Sequence, residues 1–177
     1  MTFLELCRKR QSERAYEPSR PVPREALERC LEAARLAPSA CNSQPWEFVA
    51  AASPELRTKL AATFSGTYFI NAFVRDAGAI VAVVRRKPRL ITFIGGLWRG
   101  TYFPWIDLGI AGEHFVLQAA DEGLGTCWIG WFNEGVVKRL LGLGRFDKIE
   151  YLIAVGWPVA ATREKKRKPL HEISRIL

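Results

Sequence analysis

Apolar and polar positions alternate along this chain in segments of distinct period. Residues 3–11 fit a short helix, and the turn SERAYEPSRPVP that follows holds three prolines, which forbid a continuous helix or ladder. From Pro23, suited to a first helical turn, Leu27, Cys30, Leu31, Ala34 and Leu36 recur near helical spacing, and Pro38 stops the helix. PSACNSQPW, residues 38–46, is then the loop leaving that helix for a short apolar strand, WEFVAAA, at 46–52. Ser53 and Pro54 read as N-cap and N1 of a helix running to about Phe64. The run AGAIVAVVRR, 77–86, rich in β-branched residues, predicts a buried strand.

Residues 87–106, KPRLITFIGGLWRGTYFPWI, have no clean period; they suit a lid or partner-contact segment, or a surface excursion packing its own rings. A helical pattern runs from Asp107 to about Glu122 and ends at Gly123 and Gly125. TCWIGWF reads as extended, NEGVVKRLLGL as a short helix, and KIEYLIAVGWP, 148–158, as a second buried strand. The tail from Ala160 is basic and is expected to wrap rather than pack. Irregular alternation of helices and strands predicts an α+β fold of mixed layers, one domain over residues 1–177.

Composition narrows the chemistry. With 177 residues, 49% hydrophobic and 25% charged, the chain can bury roughly 70% of its unfolded surface without help from a ligand. Cys7, Cys30, Cys41 and Cys127 form no C-x-x-C pair, which suggests neither a zinc site nor a disulfide framework and fits a reducing cytoplasm; Cys41 and Cys127 are expected to act as small buried hydrophobes. The N-terminus does not read as a signal peptide, and no run approaches a membrane span. The net charge of +8 invites a nucleic-acid reading, yet the basic clusters at 8–10, 85–89 and 163–168 accompany no nucleic-acid module, and a solvated basic surface explains them as well.

Protein-only catalysis finds few parts. His114 and His171 stand far apart, in no zinc-ligand spacing, and His114 on its helix suits a packed histidine. No G-x-S-x-G elbow, P-loop or G-x-G-x-x-G fingerprint is present. A borrowed cofactor is the alternative, because it carries the hard chemistry and leaves binding and electrostatics to the protein. Arg10, Ser12 and Arg14 in RKRQSER could clamp a phosphate, as could Lys165 and Arg167 in REKKRKP; a basic helix end and a solvated charge run are the plain readings of the same residues.

RQSERAY, EAARLAPSACNSQPWEFV, DLGIA, GLGTCWIG and AVGWP, in that order and register, resemble the nitroreductase family of FMN-dependent oxidoreductases. The resemblance implies a nitroreductase-like fold with a mostly antiparallel central sheet flanked by helices. It implies that Arg10, Gln11, Ser12, Arg14, Lys165 and Arg167 hold the flavin phosphate and neighbouring ribityl or pyrimidine atoms. Pro38, Ser39, Ala40 and Asn42 would lie along the isoalloxazine, from the second subunit of a homodimer with FMN at its interface. Asn71 would bond the polar edge of the ring, and the segment Ile129, Gly130 and Trp131 would offer a backbone amide to N5. Hydride would pass from NAD(P)H through N5 to a nitroaromatic or quinone in a ping-pong cycle, with no metal and no catalytic side chain. Alternatives on this scaffold are reductive dehalogenation or flavin breakdown, and a non-catalytic flavin or nucleic-acid binder is the other class. Gln11 is neutral where many relatives are basic, and Gly130 stands where one branch has glutamate, so donor and acceptor preference stay open. Trp98, Tyr102, Phe103 and Trp105 could roof the flavin or pack in a core or dimer interface.

Overall fold

A computed structural model describes residues 1–18 and 20–177. Its centre is one antiparallel sheet of four strands in the order β1-β2-β4-β3, with β1 Trp46–Ala51, β2 Ala79–Arg85, β3 Gly125–Ile129 and β4 Lys148–Gly156. The run of β-branched residues in β2 is explained by burial on both faces. Ala79, Val81 and Val83 enter one core with α2 (Arg24–Arg35) and α5 (Phe103–Asp121), while Ile80, Ala82 and Val84 enter a second with α3 (Pro54–Ala61) and the 3-10 segment Gly66–Asp76. A register shift between Val83 and Val84 lets β4 place Ile153 and Val155 in the first core and Ile149, Leu152 and Ala154 in the second.

Local chemistry sets the element ends. Thr2 and Glu5 form a capping box on α1 (Phe3–Lys9), and Ser53 Oγ accepts from Leu56 N at the start of α3. The helix expected over 3–11 stops at Lys9, and the one expected to reach Phe64 stops at Ala61. The extended reading of residues 126–132 holds through Ile129, where pairing with β4 ends. Gly123, at φ 78, does end α5, but Gly125 does not: it opens β3, where a Cβ would lie 2.8 Å from Glu13 Cγ. The helix expected from Asp107 begins at Phe103, because Pro104 sits in its first turn.

The segment without a period, 87–106, contains a helix, α4 (Leu90–Arg99), closed by Gly100 at φ 67. Its apolar residues Leu90, Ile91, Phe93, Ile94, Leu97 and Trp98 share one face, which is left exposed, while the opposite face packs inward through Thr92 and Gly96. After α6 (Glu134–Leu140) and β4, the tail returns to the N-terminal segment, with a short helix, α7, at Leu170–Ile173. No helix of the described residues is long and apolar enough to cross a membrane.

Candidate functional site

Residues 11–16 run past the end of the sheet and are fastened to it. Ser12 bridges Thr126 of β3, Glu13 N donates to Thr126 O at 2.8 Å, and Tyr16 bridges Pro158. Glu13, almost wholly buried, folds its carboxylate under this segment and accepts from Arg14 N at 3.0 Å, Ala15 N at 3.1 Å and Gln11 Nε2 at 3.1 Å. Its role was not read from the sequence, where an acidic residue in a basic stretch looks like surface. Against this segment lies the tail: Arg163 N donates to Gln11 Oε1 at 3.0 Å, Arg163 Nη2 to Ser12 O at 2.8 Å, and Lys165 Nζ to Arg8 O.

Arg10, Gln11, Ser12, Lys165 and Arg167 therefore line one cavity of about 300 Å³, together with Arg163, Glu164 and Lys166. Five cations face one carboxylate in its wall. The nearest relief for Arg10 is Glu113 on α5, at 3.6 Å. Partial burial holds the Lys165 ammonium below the usual lysine range, and the charges of Arg10, Arg167 and Arg163 push the same way. Such mutual repulsion fits a pocket built for a polyanion, and the donor set suits a phosphate monoester. Arg14 stands apart from the cavity wall, exposed, with its charge acting on the buried Cys127 thiol. Cys127 is buried as expected.

β3 leads from this cavity toward the second group of residues. Thr126, beside Ser12, and Ile129 are three residues apart, about 10 Å along an extended strand. Ile129 is buried and anchors the strand end, Gly130 and Trp131 emerge beyond it, and a Cβ on Gly130 would meet nothing within 4 Å. Asn71, at a kink in the 3-10 segment, donates from Nδ2 to Trp131 O at 2.9 Å. Asn71 and the 129–131 segment are thus brought together, with space beside the Gly130 backbone for a flat group.

The third group, Pro38, Ser39, Ala40 and Asn42, is held against α4 and α5. Ala40 N donates to Asp107 Oδ1 at 3.0 Å, and Thr92 Oγ1 donates to Ala40 O at 3.2 Å. Asp107 and Glu113 lie six residues apart on α5, so about 9 Å of helix separates the contact to this loop from the contact to Arg10. Cys41, expected to be buried, is exposed at the loop apex with φ 50; the loop turns outward there and leaves the thiol no apolar pocket. Asp107 and Thr92 were not singled out in the sequence, since a lone acid at a predicted helix start looks like an N-terminal charge. His114 is half-buried with Nδ1 3.3 Å from Ala33 O, in keeping with a packed histidine. Of the four aromatics proposed as a roof, Trp98 and Trp105 are exposed, whereas Tyr102 packs edge-on to Trp105 and accepts from Arg85 Nη1 at 2.7 Å.

The oxygen-insensitive NADPH nitroreductase of Helicobacter acinonychis is 29% identical over 195 residues, covering 93% of this chain and 91% of its own. Iodotyrosine deiodinase 1 of Rattus norvegicus is 28% identical over 194 residues, covering 97% of this chain and 68% of its own. The structure of an Exiguobacterium sibiricum protein solved in complex with FMN superposes with a TM-score of 0.81 at 24% identity, over 100% of this chain and 98% of that one. The profile of the Nitroreductase family matches residues 7–157, and the chain belongs to that family.

Proposed function

We propose that this protein is an FMN-dependent oxidoreductase, a single flavin-binding domain over residues 1–177. It takes reducing equivalents from NADH or NADPH and passes them to an electron-poor acceptor such as a nitroaromatic or quinone. The observation that carries this reading is the pairing of a cation-rich pocket at one end of β3 with the open Gly130 backbone and Asn71 at the other. That spacing suits a ligand with a phosphate at one end and a flat polar ring at the other.

When bound, FMN supplies hydride acceptance and donation at N5; the chain supplies position and charge. Arg10, Lys165 and Arg167, with Arg163, hold the phosphate by charge-assisted bonds, and the Ser12 hydroxyl adds a donor. The emerging 129–131 backbone offers an N–H that favours the reduced ring, and Asn71 fixes that backbone through Trp131 O. Arg14 is the exposed cation available to balance negative charge on the pyrimidine side. Ser39, Ala40 and Asn42 reach the ring of a second copy, in a homodimer that also covers the exposed apolar face of α4, where Trp98 is 93% exposed and Leu90 72%. The four free thiols suit the cytoplasm.

The experiment is anaerobic mixing of the FMN-loaded protein with NADH or NADPH. Loss of the oxidised flavin bands, restored by a nitroaromatic or quinone, is the expected result; a flavin that neither nucleotide reduces would reject the proposed electron donors. A second reading, reductive dehalogenation on the same scaffold, is favoured by the similarity to the rat deiodinase over nearly the whole chain. Halide release from an iodinated phenol by the dithionite-reduced protein, faster than nitroaromatic reduction, would select it.

A further inference from the structure

The loop after α2 is strained. Cys41, Asn42 and Gln44 adopt φ of 50°, 50° and 47°, and none is glycine. Left-handed backbone at side-chain-bearing residues persists only where the surroundings hold it. Some of the holding is local: Gln44 N donates to Ser39 Oγ at 2.9 Å, and Gln44 Nε2 to Asn42 Oδ1 at 2.8 Å. Arg89 N adds a bond to Ser43 Oγ at 2.8 Å, on the exposed side. These contacts compete with water.

Two others do not. Asp107 and Thr92 are each 3% exposed, and they take both backbone groups of Ala40, the carboxylate accepting its N–H and the hydroxyl donating to its C=O. A carboxylate and a hydroxyl shielded from solvent are costly unless they are used, and Ala40 is their use. Among the described residues the second oxygen of Asp107 has no hydrogen-bond partner, which leaves Ala40 N as the one group this carboxylate bonds. Thr92 comes from α4, which gives residues 87–106 a task beyond covering surface: the helix delivers half of the clamp.

We propose that Asp107 and Thr92 are positioning residues of the flavin site, clamping Ala40 so that the small faces of Ser39 and Ala40 and the amide of Asn42 meet the ring in one fixed arrangement. The inference rests on the proposed function for the ring, but the clamp itself can be tested without any ligand. Hydrogen exchange of the 36–46 segment is measured in wild type, Asp107→Leu, Asp107→Asn and Thr92→Val, followed by FMN affinity and steady-state kinetics. Asp107→Leu and Thr92→Val are expected to speed exchange of the segment and to weaken FMN, by about tenfold and severalfold respectively. KM for the acceptor should rise while kcat per bound flavin stays within about twofold. Asp107→Asn keeps an acceptor for Ala40 N and is expected to restore most of the affinity. If Asp107→Leu does not fold, Thr92→Val, which keeps the side-chain shape, carries the test. Unchanged exchange in Thr92→Val and Asp107→Leu would overturn the clamp. Faster exchange with unchanged FMN affinity and KM would confine both residues to the scaffold and overturn the positioning role. Failure of the wild type to bind FMN would reject the proposed function instead, and the exchange result would still judge the clamp.

Discussion

Glu13 makes the basic segment rigid, and its removal has a calculable effect. The side chain is 3% exposed and accepts from Arg14 N, Ala15 N and Gln11 Nε2. Glu13→Ala leaves two amides and one side-chain donor without their buried acceptor. Bonds to a charged group are worth about 1.5–3 kcal/mol each. Water can reach Arg14 and Ala15, which are exposed, so a total near about 3 kcal/mol is expected rather than the full sum. For a domain of this size each kcal/mol moves Tm by about 2–4 °C, so Tm should fall by about 6–12 °C. Glu13→Gln keeps one acceptor oxygen and should lose about a third of that. Thermal unfolding followed by circular dichroism checks both. Because the same segment presents Ser12 and Gln11 to the cation-rich cavity, Glu13→Ala should also bind FMN more weakly at temperatures where it is folded. A Tm for Glu13→Ala within about 2 °C of wild type would refute the reasoning.

Three further outcomes follow from other parts of the fold. Gly112 lies where α5 meets Trp128 and the Tyr151 hydroxyl, itself bonded to Leu108 O at 2.5 Å; a Cβ there overlaps both rings, so Gly112→Ala should cost about 1–3 kcal/mol and lower Tm by several degrees, and an unchanged Tm would contradict that close approach. Burial, and then the charge of Glu122, pushes the Cys30 thiol up to about 12, and burial raises Cys127 too. Their unfolded counterparts ionise near about 8.5, so the folded state keeps protons that the unfolded state loses. Stability should be intact below that pH and, through Cys30, fall by about 1.4 kcal/mol per unit as pH rises toward 12, with Cys127 contributing in the same direction. Urea unfolding between about pH 8 and 10.5 should show the decline, shallower in Cys30→Ala; equal slopes would exclude Cys30 as a cause. Arg10→Ala should weaken FMN about tenfold and reduce the salt dependence of binding, and unchanged affinity would remove Arg10 from the phosphate pocket.

Much of the fold could be read directly because local and tertiary signals agree. Ser53-Pro54 caps a helix, β2 is a run of β-branched residues buried on both faces, and α2 buries Leu27, Cys30 and Ala34 of its expected stripe and part of Leu31, whereas Leu36, beyond the last helical residue Arg35, is exposed. α4 was hidden for the opposite reason. LITFIGGLWR carries its apolar residues on one face, but that face is exposed and the helix packs inward through Thr92 and Gly96, so the apolar stripe does not mark a core-facing side. Gly125 was taken for a helix stop, whereas it is needed because Glu13 approaches from a segment 112 positions earlier, a contact no local pattern encodes. The site divides in the same way. Arg10, Ser12, Lys165 and Arg167 were legible as charged short motifs, and their convergence on one cavity follows from the tail returning to residues 8–12. Glu13, Thr92, Asp107 and Arg163 were not, because each works through backbone groups, and single polar residues of that kind carry no motif. Cys41 was misjudged because three left-handed residues in four turn its loop outward, and none of them is glycine.

FMN and riboflavin differ only in the phosphate that the cation-rich cavity is expected to hold. Titration of the purified protein with each, followed by quenching of flavin fluorescence, separates the two ends of the site. FMN should bind at about one per chain and riboflavin at least tenfold more weakly, with the difference shrinking as salt rises. Equal affinity for the two flavins, or no binding of either, would contradict a flavin held by its phosphate between residues 10–12 and 163–167.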